Sequence, residues 1–281
     1  MIRARLILPG IAFASWLGVG VTMAGGLVEF PNVSEQAPKP TGYPARPDAG
    51  LSALVGRQFD RVGPYPAVVV LHGCSGISSH STGIADRLAS WGYVALAVDS
   101  LSPRGISSAC RGGSLGQAFD AYAALRYLTT LEDVDPGRIA VLGQSMGGGS
   151  ALYALDHDLG AQYFTERFRA AIIYYPGCGI PGANLTAPTL ILIGDKDDWT
   201  PADRCRDMVA RARSDGVPIA LHVYPGVHHA FDVAQLRPGI RNPLGHWLEY
   251  DEPAAQDAEQ KVRAFLARNL ARAASVLPAA N

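Results

Sequence analysis

The stretch Arg138-Ile-Ala-Val-Leu-Gly-Gln-Ser-Met-Gly-Gly-Gly149 decides the fold of this 281-residue chain. Arg138–Gly143 is a short apolar run, the pattern of a parallel strand covered on both faces. It ends in Gly143-Gln144-Ser145-Met146-Gly147, a G-x-S-x-G sequence, and helical spacing follows over about 147–157. A serine on a sharp strand-to-helix turn needs glycine on both sides, because a Cβ there would clash with neighbouring backbone. Such a turn exposes the hydroxyl at a helix N-terminus, where the helix dipole favours developing negative charge. A chain with 31 glycines offers chance matches to so short a motif, so its weight comes from its place between strand and helix.

Outward from this point the same alternation repeats. Ala67–His72, Tyr93–Asp99, Ala170–Tyr175, Thr189–Gly194 and Ile219–Tyr224 are further strand-like runs. Residues of about 83–91, 114–130, 201–214 and 254–270 carry helical spacing, with Pro253 where a first helical turn tolerates it. Strands alternating with helices predict an α/β fold, a mostly parallel, doubly wound sheet with helices on both faces. There is no internal repeat, and 51–281 reads as one domain.

A serine nucleophile needs a base, and the base an orienting acid. In folds built around this serine turn the acid and then the histidine follow on loops after later strands. Thr189–Gly194 runs into Asp195-Lys196-Asp197-Asp198-Trp199-Thr200-Pro201. Asp197 is the expected acid, placed beyond the strand and before a proline-started helix. Asp195 and Asp198 suit turn or cap hydrogen bonds. Ile219–Tyr224 leads to Pro225-Gly226-Val227-His228-His229-Ala230-Phe231, where His229 is the expected base and His228 a loop residue or substrate contact. His222, inside a strand, reads as a core histidine, and His80, His157 and His246 have no motif around them. An oxyanion hole needs two backbone N–H groups aimed at the developing charge. Met146 supplies one, and Cys74, in His72-Gly73-Cys74-Ser75-Gly76, the other.

The charge balance, 24 basic against 25 acidic residues with no long run of either, lacks the basic face that nucleic-acid binding requires. It equally offers the mature domain no membrane-surface role. Arg3 and Arg5 precede an uncharged stretch from Leu6 to Val28, with Thr22 and Ala24 in an A-x-A-like arrangement. This predicts a secretory signal peptide over 1–24 and a periplasmic or extracellular protein. Residues 25–50, rich in proline and glycine over 32–50, are expected to form an extended N-terminal segment. The even set Cys74, Cys110, Cys178 and Cys205 in an exported chain allows two disulfides in three connectivities. Its spacing matches no metal or redox motif, and no metal or organic cofactor is expected.

The ordered series HGCSG (72–76), VDSLSPRG (98–105), GQSMG (143–147), YYPGC (174–178), GDKDDWTP (194–201) and VHHAF (227–231) resembles the dienelactone hydrolase family over about residues 50–270. The resemblance implies an α/β-hydrolase fold and hydrolysis of a small-molecule ester or lactone. The enzymes that name that family carry a cysteine nucleophile where Ser145 stands here, which favours a broader esterase over dienelactone itself. With the resemblance go pairings of Cys178 with Cys205 and of Cys74 with Cys110. Arg104 is a candidate bidentate partner for a substrate carboxylate, or else a surface salt bridge. Trp199 joins it and His228 among candidate substrate contacts. A peptidase or amidase with the same triad, and a non-catalytic binding protein of the same fold, are the competing functions. Pocket shape rests on loops 101–113, 177–187 and 232–252.

Overall fold

A computed structural model describes residues 26–31, 51–56, 63–112, 116–212 and 215–272. The leader expected at 1–24, and 32–50 of the N-terminal segment, lie outside the described residues.

Five strands carry almost unbroken apolar stretches: β3 (Tyr65–Leu71), β4 (Val94–Asp99), β5 (Val134–Gln144, buried continuously from Ile139), β6 (Ala170–Tyr174) and β7 (Thr189–Gly194). Each of these stretches is covered on both faces, so neither face needs a polar set. β8 (Ile219–Tyr224) ends the sheet and stays half-exposed. These six are parallel, in the order β4-β3-β5-β6-β7-β8. Two antiparallel strands, β1 (Gly26–Phe30) and β2 (Leu51–Gly56), extend the sheet beyond β4 to eight strands. The extended segment expected over 25–50 therefore begins as a sheet strand. It is anchored by buried Phe30, whose ring stacks on Tyr127 at 5.0 Å.

Helices α1 (Ser79–Ser90), α2 (Gly116–Thr129), α3 (Met146–Leu155), α4 (Ala202–Ala210) and α5 (Glu252–Asn269) fall close to the expected spans. α1 starts where the Ser78 side chain accepts from the Ser81 amide, and α5 where Asp251 accepts from Ala254. Both are N-caps that satisfy otherwise orphaned N–H groups. α1 and α5 share one face of the sheet, joined by the Arg87–Glu259 ion pair at 2.6 Å. α2 and α3 pack together on the other, where Ile173 meets Gly148. Within 232–252 the chain folds a two-stranded hairpin, β9 (Ile240–Arg241) with β10 (Trp247–Leu248). Among the described residues no helix is long and apolar enough to cross a membrane.

Because the six central strands run the same way, their carboxyl ends open on one edge of the sheet. The segments that follow β3, β5, β6, β7 and β8 therefore meet there, the usual site of chemistry in open α/β sheets.

Candidate active site

Ser145 sits between β5 and α3 with φ 51° and ψ −114°, a backbone that side-chain-bearing residues rarely adopt. Its amide donates to the Tyr174 carbonyl at 2.9 Å, which fastens the turn to β6. The flanking glycines are obligatory for steric reasons. A Cβ on Gly143 would lie 2.2 Å from the Gly147 carbonyl oxygen, and one on Gly147 would lie 2.4 Å from that of Leu71. The turn therefore fits only if both stay bare, and it presses Ser145 against the end of β3.

The acid and histidine loops are tied to each other before they reach the serine. A Cβ on Gly194 would overlap the Val227 carbonyl, so β7 and the loop after β8 touch backbone to backbone. The Lys196 amide donates to Val227 at 3.0 Å, and Asp195 Oδ1 accepts from Gly226 at 2.7 Å. Asp197 Oδ1 accepts from the amides of Trp199 and Thr200, at 3.0 and 2.8 Å, forming an Asx turn. That leaves Oδ2 to meet His229 Nδ1 at 2.7 Å. The Ser145 hydroxyl lies 3.0 Å from His229 Nε2. With its proton on Nδ1, the imidazole donates to Asp197 and accepts from Ser145. Asp197 and His229 are both buried, so these bonds compete little with water.

Thr200 also belongs to this site, although the sequence reading passed over it. Its hydroxyl lies 2.8 Å from Asp197 Oδ2, 3.1 Å from His229 Nδ1 and 3.0 Å from the Tyr175 carbonyl. The signal was available, since an Asx turn at Asp197 brings the side chain at 200 beside the carboxylate.

The loop 72–76 passes beside the serine, and a Cβ on Gly73 would come 3.7 Å from that of Ser145. His72, buried beneath it, braces this loop. Its Nδ1 donates to the Gly73 carbonyl at 2.7 Å and its Nε2 accepts from the Ser100 amide at 3.1 Å. Burial holds its pKa below the ordinary value, so the ring stays neutral and keeps this pattern. Met146 is the first residue of α3, so its N–H has no acceptor within the helix. Disulfides join Cys74 to Cys110 and Cys178 to Cys205. The first ties the loop beside Ser145 to residues 101–112. The second ties the loop after β6 to α4. Two such bonds belong to an oxidising environment.

The candidate substrate contacts fare differently. Trp199 lies at the edge of the site, its ring 5.1 Å from that of His229 and stacked on His246 at 5.2 Å. His228 turns aside, with Nδ1 3.1 Å from the Lys196 carbonyl. The expectations for Arg104 are corrected. It is neither a surface residue nor available to a substrate: its side chain is 4% exposed and its guanidinium is bidentate to Asp120, at 2.6 and 2.8 Å. A third bond, 2.7 Å, goes to the Ser100 carbonyl. A buried carboxylate on α2 demands such a partner, and Arg104 supplies it. His222 is half-exposed on the edge strand β8, not in the core.

A mostly parallel sheet with a serine turn, an acid and a histidine beyond the ends of β5, β7 and β8 defines an α/β hydrolase. The model of the dienelactone hydrolase family matches residues 51–270, and the chain belongs to that family of hydrolases and esterases. Among curated relatives, a probable 2-oxo-3-(5-oxofuran-2-ylidene)propanoate lactonase of Bradyrhizobium sp. is 28% identical, covering 60% of this chain and 74% of its own. A bis(hydroxyethyl) terephthalate hydrolase of Streptomyces coelicolor is 29% identical, covering 71% of this chain and 67% of its own. Among solved structures, a dienelactone hydrolase-like promiscuous phosphotriesterase from metagenomic libraries superposes with a TM-score of 0.68 at 20% identity, covering 89% of this chain and 99% of its own.

Proposed function

We propose that the protein cleaves a small-molecule carboxylic ester or lactone through an acyl-enzyme on Ser145. The observation that carries this is the buried relay from Asp197 Oδ2 to His229 Nδ1, 2.7 Å, and from His229 Nε2 to Ser145 Oγ, 3.0 Å. These spacings allow the histidine to take the serine proton as Oγ attacks the acyl carbon. The amides of Cys74 and Met146 hold the oxyanion, and His229 returns its proton to the departing alcohol oxygen. Water then adds to the acyl group by the same route, releasing the acid and restoring Ser145. In a lactone the departing alcohol stays tethered, so one hydroxy acid leaves. Trp199 forms a wall of the substrate site, and His228 positions the loop.

The names of the lactonase and the terephthalate-ester hydrolase support both ester classes. We further propose that residues 1–24 are a cleaved leader and that the single domain over 51–281 works in the periplasm or outside the cell, which its two disulfides favour. The test is hydrolysis of p-nitrophenyl esters of increasing acyl length by the protein lacking 1–24, beside Ser145→Ala. The variant is expected to lose activity by about 10⁵-fold or more, the scale of removing such a nucleophile. Undiminished hydrolysis by Ser145→Ala would reject the mechanism.

A further inference from the structure

Behind Ser145, on the sheet face covered by α1 and α5, lies a polar cluster that the proposed reaction does not use. Strand alternation turns the Gln144 side chain to this face while Ser145 faces the site. Gln144 Nε2 is 2.6 Å from His80 Nε2, 3.2 Å from the Tyr175 hydroxyl and 3.4 Å from Asp232 Oδ2. The Tyr175 hydroxyl donates to Asp232 Oδ1 at 2.7 Å, and His80 Nε2 is 3.2 Å from Oδ2. Burial pushes the Asp232 carboxyl up, but the nearby His80 and the Tyr175 hydroxyl outweigh it and hold it below its usual range. The Tyr175 phenol is driven well above its ordinary value by burial and by Asp232, so it remains a donor. His80 and Asp232 also line a cavity of about 140 Å³ walled by Leu142, Tyr174 and Val262.

Two partners of Asp232, Gln144 and Tyr175, abut the reacting groups. Gln144 is the residue before Ser145. The Tyr175 ring lies 4.7 Å from the His229 ring, its φ is 36°, and its carbonyl is 3.0 Å from the Thr200 hydroxyl. Asp232 itself follows His229 on the same loop, beyond Phe231, whose ring packs on Tyr175 at 5.6 Å. A buried carboxylate is costly unless its bonds are made, and once made they hold their donors in one geometry. We propose that Asp232 is a positioning residue of this site. It fixes the face of His229 through Tyr175, and the serine turn through Gln144. This rests on the reading of Ser145 and His229 given above.

The test uses Asp232→Ala, Tyr175→Phe and the double variant, checked for folding by thermal melting and assayed on p-nitrophenyl acetate beside Ser145→Ala. Each single change is expected to lower kcat by about tenfold with KM little changed, since displaced groups cost rate more than binding. The double variant should be no slower than the slower single one, because both remove the hydrogen bond between Tyr175 and Asp232. Labelling of Ser145 by a fluorophosphonate should slow by the same factor. An unchanged kcat in folded Asp232→Ala, or additive losses in the double variant, would overturn the proposal. If Asp232→Ala does not fold, an unchanged kcat in Tyr175→Phe overturns it alone. Activity surviving in Ser145→Ala would overturn this proposal and the reaction together. A dead Ser145→Ala beside an unaffected Asp232→Ala would remove only the role of Asp232.

Discussion

The three glycines after Met146 look alike in sequence and do different work. A Cβ on Gly147 meets the carbonyls of Leu71 and His72 at 2.4 and 2.6 Å, and both are backbone atoms that cannot swing away. Gly148 has neighbours at 3.1 Å, whereas Gly149 has open space around it and lies within α3. Gly147→Ala should therefore cost roughly 3 kcal/mol or more, or prevent folding, since overpacking forces the backbone apart. Gly149→Ala should stabilise by about 0.5–1 kcal/mol, the usual gain from replacing glycine in a helix. Urea unfolding of the two variants checks this, and equal midpoints would sink the argument. Ser145, Asp197 and His229 were readable because each stands in a short motif against a strand-like run. Arg104 was misread for the opposite reason. Its partner Asp120 lies on a helix buried on nearly every side, and sequence does not display that burial. Asp232, Tyr175 and His80 come from three separate segments, and only the finished sheet brings them together.

At the scale of elements, sequence showed β3 to β7, whose buried stretches require apolar runs, and also β8, whose run IALHVY is readable although the strand is half-exposed. β2, with the sequence LSALVG, and β1, GLVEF, lie at the antiparallel edge, where short strands need no such run. β9 and β10 are two residues each, too short for any period to register. The disulfides are the other elements that join distant segments, and their surroundings differ. Cys178 and Cys205 are 3% and 0% exposed, while Cys74 is bonded to a half-exposed Cys110. Exchange needs a thiolate to reach sulfur, so access sets the order of reduction. Mild dithiothreitol on the native protein should open Cys74–Cys110 first, and the Cys178–Cys205 bond should resist until the protein unfolds. Alkylation followed by peptide mass mapping reads the order directly. Labelling of Cys205 before Cys110 would contradict it. Because Cys74 follows Gly73 in the loop beside Ser145, loss of esterase activity is expected to accompany the first reduction rather than the second.

The whole molecule gathers its site by running six strands in one direction, and the same burial that builds the site fixes how its stability responds to pH. His72 supports the loop beside Ser145 only as a neutral ring, and its pKa in the folded protein lies below the ordinary value of 6.5 because burial disfavours the charged form. The unfolded chain therefore takes up this proton first as pH falls. Stability contributed by the neutral ring is complete above about pH 6.5 and is lost as pH drops towards the folded value. Asp120 and Asp156 work against this trend, since burial raises their carboxyls and lets the folded state bind protons early. Glu166, held low by its bonds to Arg126, adds a loss of stability only further down, below its ordinary 4.5. A variant at His72 separates these contributions. His72→Asn keeps a donor near the Gly73 carbonyl but cannot titrate, so its stability should change less than the wild type's between about pH 7.5 and about pH 5.5. Urea midpoints for both proteins at the two pH values measure the difference. Equal changes would mean that His72 takes its proton as readily in the folded protein as in the unfolded chain, and that burial does not keep the ring neutral.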